Sequence, residues 1–275
     1  MVLHTVSLEF TDRLRLRGLS DPHIGAEASE EKRLKRDVTT ILKEPDSYVI
    51  LMGDQMEAIT NKDPRFSAGS INKGMISNLG SLMNEQLAEA VDTFQPLADS
   101  GQLIGALIGN HEIAFNKHSG IDIHRLFCEQ LDIKNLGYSC ILRMTIRGKS
   151  GPARNVIVKC HHGHGGSGHY TGASINAMER DIGRFRCDIS FMGHNHKRHV
   201  STSTVLDVTS NGKMRLIERD IVCVRTGGYY KTYEEGTSPS YGEVAGYAPV
   251  KIGEPPYVDI TMEGQHYDLK MRTTQ

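Results

Sequence analysis

"FMGHNHKRH", residues 191 to 199, sets His194, His196 and His199 at the end of an apolar run. The stretch raises the question of why a soluble chain ends a buried strand on imidazoles. Four other short apolar runs read as strands: "RLRLRGLS" (13–20), "SYVILMG" (47–53), "LIGALIG" (103–109) and "NVIVKC" (155–160). With "DISFMG" (188–193) they make five, each apolar at its end and stopping at Gly, His or Asp. In chain order the residues that follow are "SDPH" with Asp21 and His23, "GDQME" with Asp54 and Glu57, "GNHE" with Asn110, His111 and Glu112, "CHHGHGG" with His161, His162 and His164, and "GHNH" with His194 and His196.

Side chains in extended backbone repeat every two positions, so an x-His-x-His end is expected to project both imidazoles to one side, and Asp21 is expected to lie beside His23. Carboxylates, imidazoles and one amide carbonyl, with no thiolate, suit hard or borderline divalent ions, Mn²⁺ first and Fe²⁺, Zn²⁺, Ni²⁺ or Mg²⁺ behind it. The donors are too many for one ion. Two ions bridged by a shared carboxylate would use them all. Any single motif of this length occurs by chance, but five in order, each closing a strand, point together to metal.

The frame around these ends is ordinary. The chain has 275 residues, 38% hydrophobic and 24% charged, which suits one α/β domain spanning residues 1–275. Charges interrupt "MVLHTVSLEFTDRLRLRG" where a leader's apolar core would lie, and no apolar run reaches membrane-spanning length, so a cytoplasmic protein without membrane contact is expected. Five scattered cysteines form no Cys-x-x-Cys pair and are expected as reduced, mostly buried thiols. The formal net charge is −1, yet residues 143–198 carry ten Lys or Arg against three acids, a local +7 that leaves about −8 for the rest. Such a span is either a solvated face or a positive field for an anionic substrate.

Leu34, Val38, Ile41 and Leu42 make an apolar stripe on a helix near 29–43, and a longer helical region is expected over about 70–99 from Ile71, Met75, Leu79, Leu82, Met83, Leu87, Val91 and Phe94. Further helices are expected near 120–132 and 172–184. After residue 200 alternation takes over, in "STSTVLDV", "MRLIERDIVCVRT", "PYVDITM" and "HYDLKMR", read as antiparallel strands with turns such as "SNGK". The Tyr- and Gly-rich stretch 229–256 reads as a surface loop with few core signals. The sum is two packed sheets with helices outside.

The order of the five blocks resembles the calcineurin-like metallophosphoesterase superfamily: Asp-x-His, Gly-Asp, Gly-Asn-His-Asp/Glu, His, Gly-His-x-His, here across residues 21 to 196. The resemblance implies an α/β fold, a four-layer αββα sandwich of two mixed β-sheets flanked by helices. It implies that Asp21, His23 and His196 bind one ion, that Asn110 and His194 bind a second, and that Asp54 bridges both. The remaining histidine ligand is His161 on a His-x-Gly reading or His162 on a His-Gly-His one, with the first slightly favoured. His111 would stand near the leaving group as a catalytic residue with Asp54, and Glu57 and Glu112 would orient histidines. The chemistry implied is phosphoester hydrolysis by hydroxide formed between the two ions, with His111 serving the leaving oxygen.

The expected activity is a phosphodiesterase or nuclease acting on DNA, RNA or nucleotides, drawing on the +7 span. The alternative is a phosphomonoesterase, and a third reading is a non-catalytic scaffold. "GDQMEA" lacks the Asp-Arg of the superfamily's protein phosphatases. No P-loop motif is present, and "GHGGSG" (163–168) matches a dinucleotide-binding pattern only as a decoy, since the Asp twenty residues later begins a strand.

Overall fold

The computed structural model describes the chain apart from residues 11–12, 61–62, 64–65, 76–79, 148–151, 165–170, 209–211, 237, 264–265 and 273–275. Its strands are β1 (Val2–Glu9), β2 (Arg13–Leu19), β3 (Ser47–Leu51), β4 (Leu103–Ala106), β5 (Lys134–Asn135), β6 (Ser139–Arg147), β7 (Arg154–His161), β8 (Ile189–Met192), β9 (Arg198–Val208), β10 (Leu216–Thr226), β11 (Tyr257–Glu263) and β12 (His266–Arg272). Its helices are α1 (Glu31–Leu42), α2 (Leu82–Asp99), α3 (Asn110–Ser119), α4 (Ile123–Gln130), α5 (Thr171–Ile182) and the short α6 (Tyr241–Val244). Two mixed six-stranded sheets result, ordered β1-β6-β7-β8-β10-β9 and β12-β11-β2-β3-β4-β5.

Alternation places every second residue of β6 (Cys140, Leu142, Met144, Ile146) in the core, and these meet Leu14, Leu16 and Ile50 of the other sheet, with Val158, Phe191 and Val224 closing the layer. On the far side of the second sheet, Val49 and Leu51 pack beneath Leu34, Val38 and Ile41 of α1, Phe94 of α2 and Phe127 of α4. The stripe expected on the first helix is therefore its buried face. Across the first sheet, Met178 and Ile182 of α5 cover Met192, Ile221 and Cys223. This is an αββα sandwich. All five cysteines are free and buried.

Three expectations change. The region 70–99 is not one helix: residues 68–70 make a single 3₁₀ turn, Ile71 bridges Ala26, and the α-helix begins only at Leu82. Asn72 breaks the run by accepting from the Gly74 N–H, an Asx-type turn that competes with helix, and Leu79 lies outside the described residues. α3 was not expected, because it buries only Glu112 and Phe115 and so lacks an apolar stripe. Antiparallel pairing joins β9 to β10 and β11 to β12, but β10 also runs parallel to β8. Ser210 and Asn211 of the "SNGK" turn and most of "GHGGSG" lie outside the described residues. Among the described residues no helix is long and apolar enough to cross a membrane.

Candidate metal centre

The parallel strands β2, β3, β4, β7 and β8 deliver their C-terminal ends to one rim, where ligands of open α/β sheets gather. The motif residues sit just past those ends. Their backbone is not extended there: Asp21, His23, Asp54, His194 and His196 all have left-handed φ, between 48° and 71°. Each costs roughly 1–3 kcal/mol for a non-glycine residue, and such strain collects at functional sites. Asp21 does lie beside His23, but the left-handed turns overturn the alternation argument for the histidine pair. His194 and His196 do not share a side; His194 joins Asn110 and His162, whereas His196 joins Asp21 and His23. His199, paired with Arg225 in the hairpin, belongs to neither group.

Three groups of donors have their atoms within 4.8 Å of one another: Asp21, His23 and His196; Asp54, His162 and His194; and His23, Asp54 and His111. Asp54 lies in the second and the third, and its Oδ2 is 3.3 Å from His162 Nε2 and 3.9 Å from His23 Nε2. Asn110 Oδ1 is 2.8 Å from His194 Nδ1 and 3.0 Å from His162 Nε2. Of the two histidine alternatives, the structure brings in His162, which is fully buried, and leaves out His161. The ring of His161 meets Tyr138 and His164, and its Nδ1 accepts the Gly163 N–H. The physical reason is strand alternation: His161, the last residue of β7, faces the α5 side with Lys159.

The ring nitrogens are oriented from behind. His162 Nδ1 lies 2.7 Å from the Met52 carbonyl and donates to it, which turns Nε2 towards Asp54 and Asn110. Glu57 Oε2 lies 2.8 Å from His23 Nδ1 and orients that ring likewise, so His23 Nε2 faces His196 Nε2 at 3.2 Å. His111 Nδ1 donates to the Glu57 carbonyl at 2.6 Å, and the residue lines the same cavity. Glu112 does not orient a histidine. Its two oxygens accept the backbone N–H groups of Met56 and Gly109, because at the third position of α3 a carboxylate closes the helix start. Burial and then Asp54 push the Glu112 carboxyl up to about 8.

A ring proton or a divalent cation can lie between the facing atoms that stand 3.0–3.3 Å apart, and a cation that binds there displaces that proton. Asp21 Oδ1 is buried with no hydrogen-bond partner, while its Oδ2 accepts from Ser20 Oγ and the His194 N–H. Burial opposes the charged forms, yet Asp54 carries the His162 imidazole up to about 9, and Asp54 itself is held well below the usual carboxylate range by His162 and His111. Burial pushes His23 and His194 down to about 4. The residues present therefore fit divalent cations: oxygen and imidazole donors converge, and one shared carboxylate links two clusters that could each hold an ion.

Two glycines allow this approach. A Cβ on Gly109 would stand 2.0 Å from Asp54 Oδ1 and 2.2 Å from the Asp54 nitrogen, and Gly163, at φ 129°, would put one 2.5 Å from His194 Cβ. Other contributors carried no sequence signal. Tyr138 donates to the Gly163 carbonyl at 2.6 Å and sets its ring against His162 at 5.3 Å. Arg225 is 1% exposed with none of its guanidinium nitrogens hydrogen-bonded; burial pushes it down to about 10, against the pull of Asp21. Tyr230 and Tyr247, from the stretch read as a surface loop, line the cavity beside the cluster.

No family model matches the sequence, and no curated protein does. Solved structures do match. The fold is similar to that of metallophosphoesterases. A predicted phosphoesterase from Streptococcus pneumoniae is 9% identical, with 96% of this chain and 91% of that one covered and a TM-score of 0.37. A metallophosphoesterase from Sphaerobacter thermophilus is 14% identical, with 95% and 90% covered and a TM-score of 0.33. Vps29 from Entamoeba histolytica, complexed with zinc, is 10% identical, with 94% and 98% covered and a TM-score of 0.35. At these scores the likenesses bear no weight for the chemistry, which rests on the donor atoms.

Proposed function

We propose that the chain is a metal-dependent phosphoester hydrolase with a dinuclear centre. The observation that carries this reading is the place of Asp54, whose carboxylate belongs to donor groups on both sides of the site. Asp21, His23 and His196 would hold one ion, Asn110, His162 and His194 the other, and Asp54 would serve both. When bound, two divalent cations, Mn²⁺ foremost for this donor set, acidify water and neutralise phosphoryl oxygens.

The chain's own residues supply the rest. Glu57 and the Met52 carbonyl fix the ring orientations of His23 and His162, so the donors need no rearrangement when substrate arrives. His111, anchored through Nδ1–H, holds its Nε2 for the leaving oxygen and, as the doubly protonated imidazolium, serves as hydrogen-bond donor or general acid there.

A small ester suits the site better than a long strand. The cavity is about 280 Å³, and of the described cations in the +7 span only Lys197 lines it. Lys159 pairs with Asp181, Arg186 with Asp207, and Arg198 donates to the Glu254 carbonyl. Tight polynucleotide binding draws on many phosphate contacts. The cavity leaves diester and monoester both open as substrates.

The test is hydrolysis of aryl mono- and diesters and of single-stranded DNA by the full chain, stripped with chelator and reloaded with Mn²⁺, with metal content measured on the same sample. Activity that returns with about two ions per chain, and falls by at least about 100-fold in Asp54→Asn, is expected. Undiminished hydrolysis in Asp54→Asn would refute the assignment.

A further inference from the structure

The cavity has two unlike halves. One is the donor cluster. The other, built by Ile59 and by the late segment with Tyr230, Thr232, Tyr247, Ala248 and Val250, has no role in holding metal. Its chemistry is mostly apolar and aromatic, and among the described residues the single Lys or Arg on the lining is Lys197.

This second wall is built in place. The Tyr229 N–H donates to the Asp21 carbonyl at 3.0 Å and the Lys231 N–H to that of Ala28 at 2.9 Å, which ties the segment to the loop carrying Asp21 and His23. Tyr230 is 8% exposed, with its ring 5.1 Å from His23 and 5.8 Å from His196. Further along, Ser240 Oγ donates to the Thr232 carbonyl, the Tyr247 N–H to that of Gly242, and the Tyr233 hydroxyl to that of Tyr247. A wall held by its own hydrogen bonds loses little entropy when a ligand docks.

We propose that this wall is the subsite for a flat aromatic ring carried by the phosphoester, an inference that rests on the phosphoesterase reading above. Tyrosine faces favour planar partners, and the remaining lining offers methyl and methylene contacts rather than charge. A space of about 280 Å³ takes one ring beside a phosphoryl group and no second phosphate-bearing unit. The ring is that of an aryl ester or of a nucleobase, whose stacking chemistry is shared.

Calorimetric titration of the Mn²⁺-loaded full chain with non-hydrolysable phosphonates separates the outcomes. Phenylphosphonate is expected to bind about tenfold tighter than methylphosphonate, and an adenosine phosphonate run alongside tells the two ring sources apart. Tyr247→Ala is expected to bring the phenyl-to-methyl ratio towards one, and Tyr247→Phe to keep it. Equal affinity for phenyl- and methylphosphonate in the wild type overturns the ring subsite alone, and so does a ratio that survives Tyr247→Ala. Binding of neither phosphonate, nor of inorganic phosphate, overturns the phosphoesterase reading and this inference with it.

Discussion

Gly109 lies so close to Asp54 that a single added carbon on it would meet both the Asp54 carboxylate and the Asp54 backbone nitrogen, at 2.0 and 2.2 Å. Backbone cannot yield as a flexible side-chain tip can. Gly109→Ala is therefore expected to push Asp54 off its shared position and to cut phosphoester hydrolysis by at least about 100-fold, the cost of roughly an ångström of misplacement. Steady-state kinetics with bound metal measured in parallel checks this.

The two adjacent histidines of "CHHG" are expected to behave oppositely. His162→Ala removes an imidazole that faces both Asp54 and Asn110, and it should lower metal affinity by at least about tenfold. His161→Ala removes the packing with Tyr138 and His164 and the acceptor of the Gly163 N–H, none of them a metal donor, and should leave metal stoichiometry as it was. A metal loss in His161→Ala matching that in His162→Ala would reverse the assignment.

Away from the rim, Lys159 is 1% exposed, its ammonium lies over the Phe185 ring at 4.2 Å and it pairs with Asp181. Asp181→Asn leaves that buried charge uncompensated and is expected to cost about 3–5 kcal/mol in denaturant unfolding. Replacing both partners, Lys159→Met with Asp181→Leu, should recover most of the loss, since two apolar chains need no desolvation.

His124 sets an acid limit on the fold. It is fully buried in α4, next to Cys128, and burial pushes its imidazole down from 6.5 to about 4. The unfolded chain takes up that proton at higher pH than the folded one. The stabilisation is thus complete above pH 6.5 and is lost as pH falls towards 4, by roughly 3 kcal/mol. Urea midpoints across this range should fall more steeply for the wild type than for His124→Asn, and parallel slopes would contradict the account.

Much of the site was legible because its residues follow strands, and short apolar runs ending in Asp, Asn or His can be picked out without knowing how the strands pair. The sandwich was legible for a similar reason, since helical and two-residue periodicities mark which faces are buried. What escaped depends on contacts between distant segments. The choice of His162 over His161 turns on which side of β7 faces the rim, and a shift of one residue reverses it. The division of His194 from His196 turns on left-handed backbone that no periodicity reports. α3 hides because its buried face holds Glu112, a carboxyl engaged by backbone rather than by apolar packing. Tyr230 looked like loop surface because its anchor is a neighbour across the fold, Asp21 being bonded by the preceding residue.

The donors come from both halves of the sandwich: Asp21, Asp54 and Asn110 follow strands of one sheet, and His162, His194 and His196 follow strands of the other. A cation gripped by such a set works like a rivet through two plies, resisting their sliding as well as serving chemistry. Chelation would then soften the laminate at this rim first, and its melting point would track the free ion concentration in the buffer.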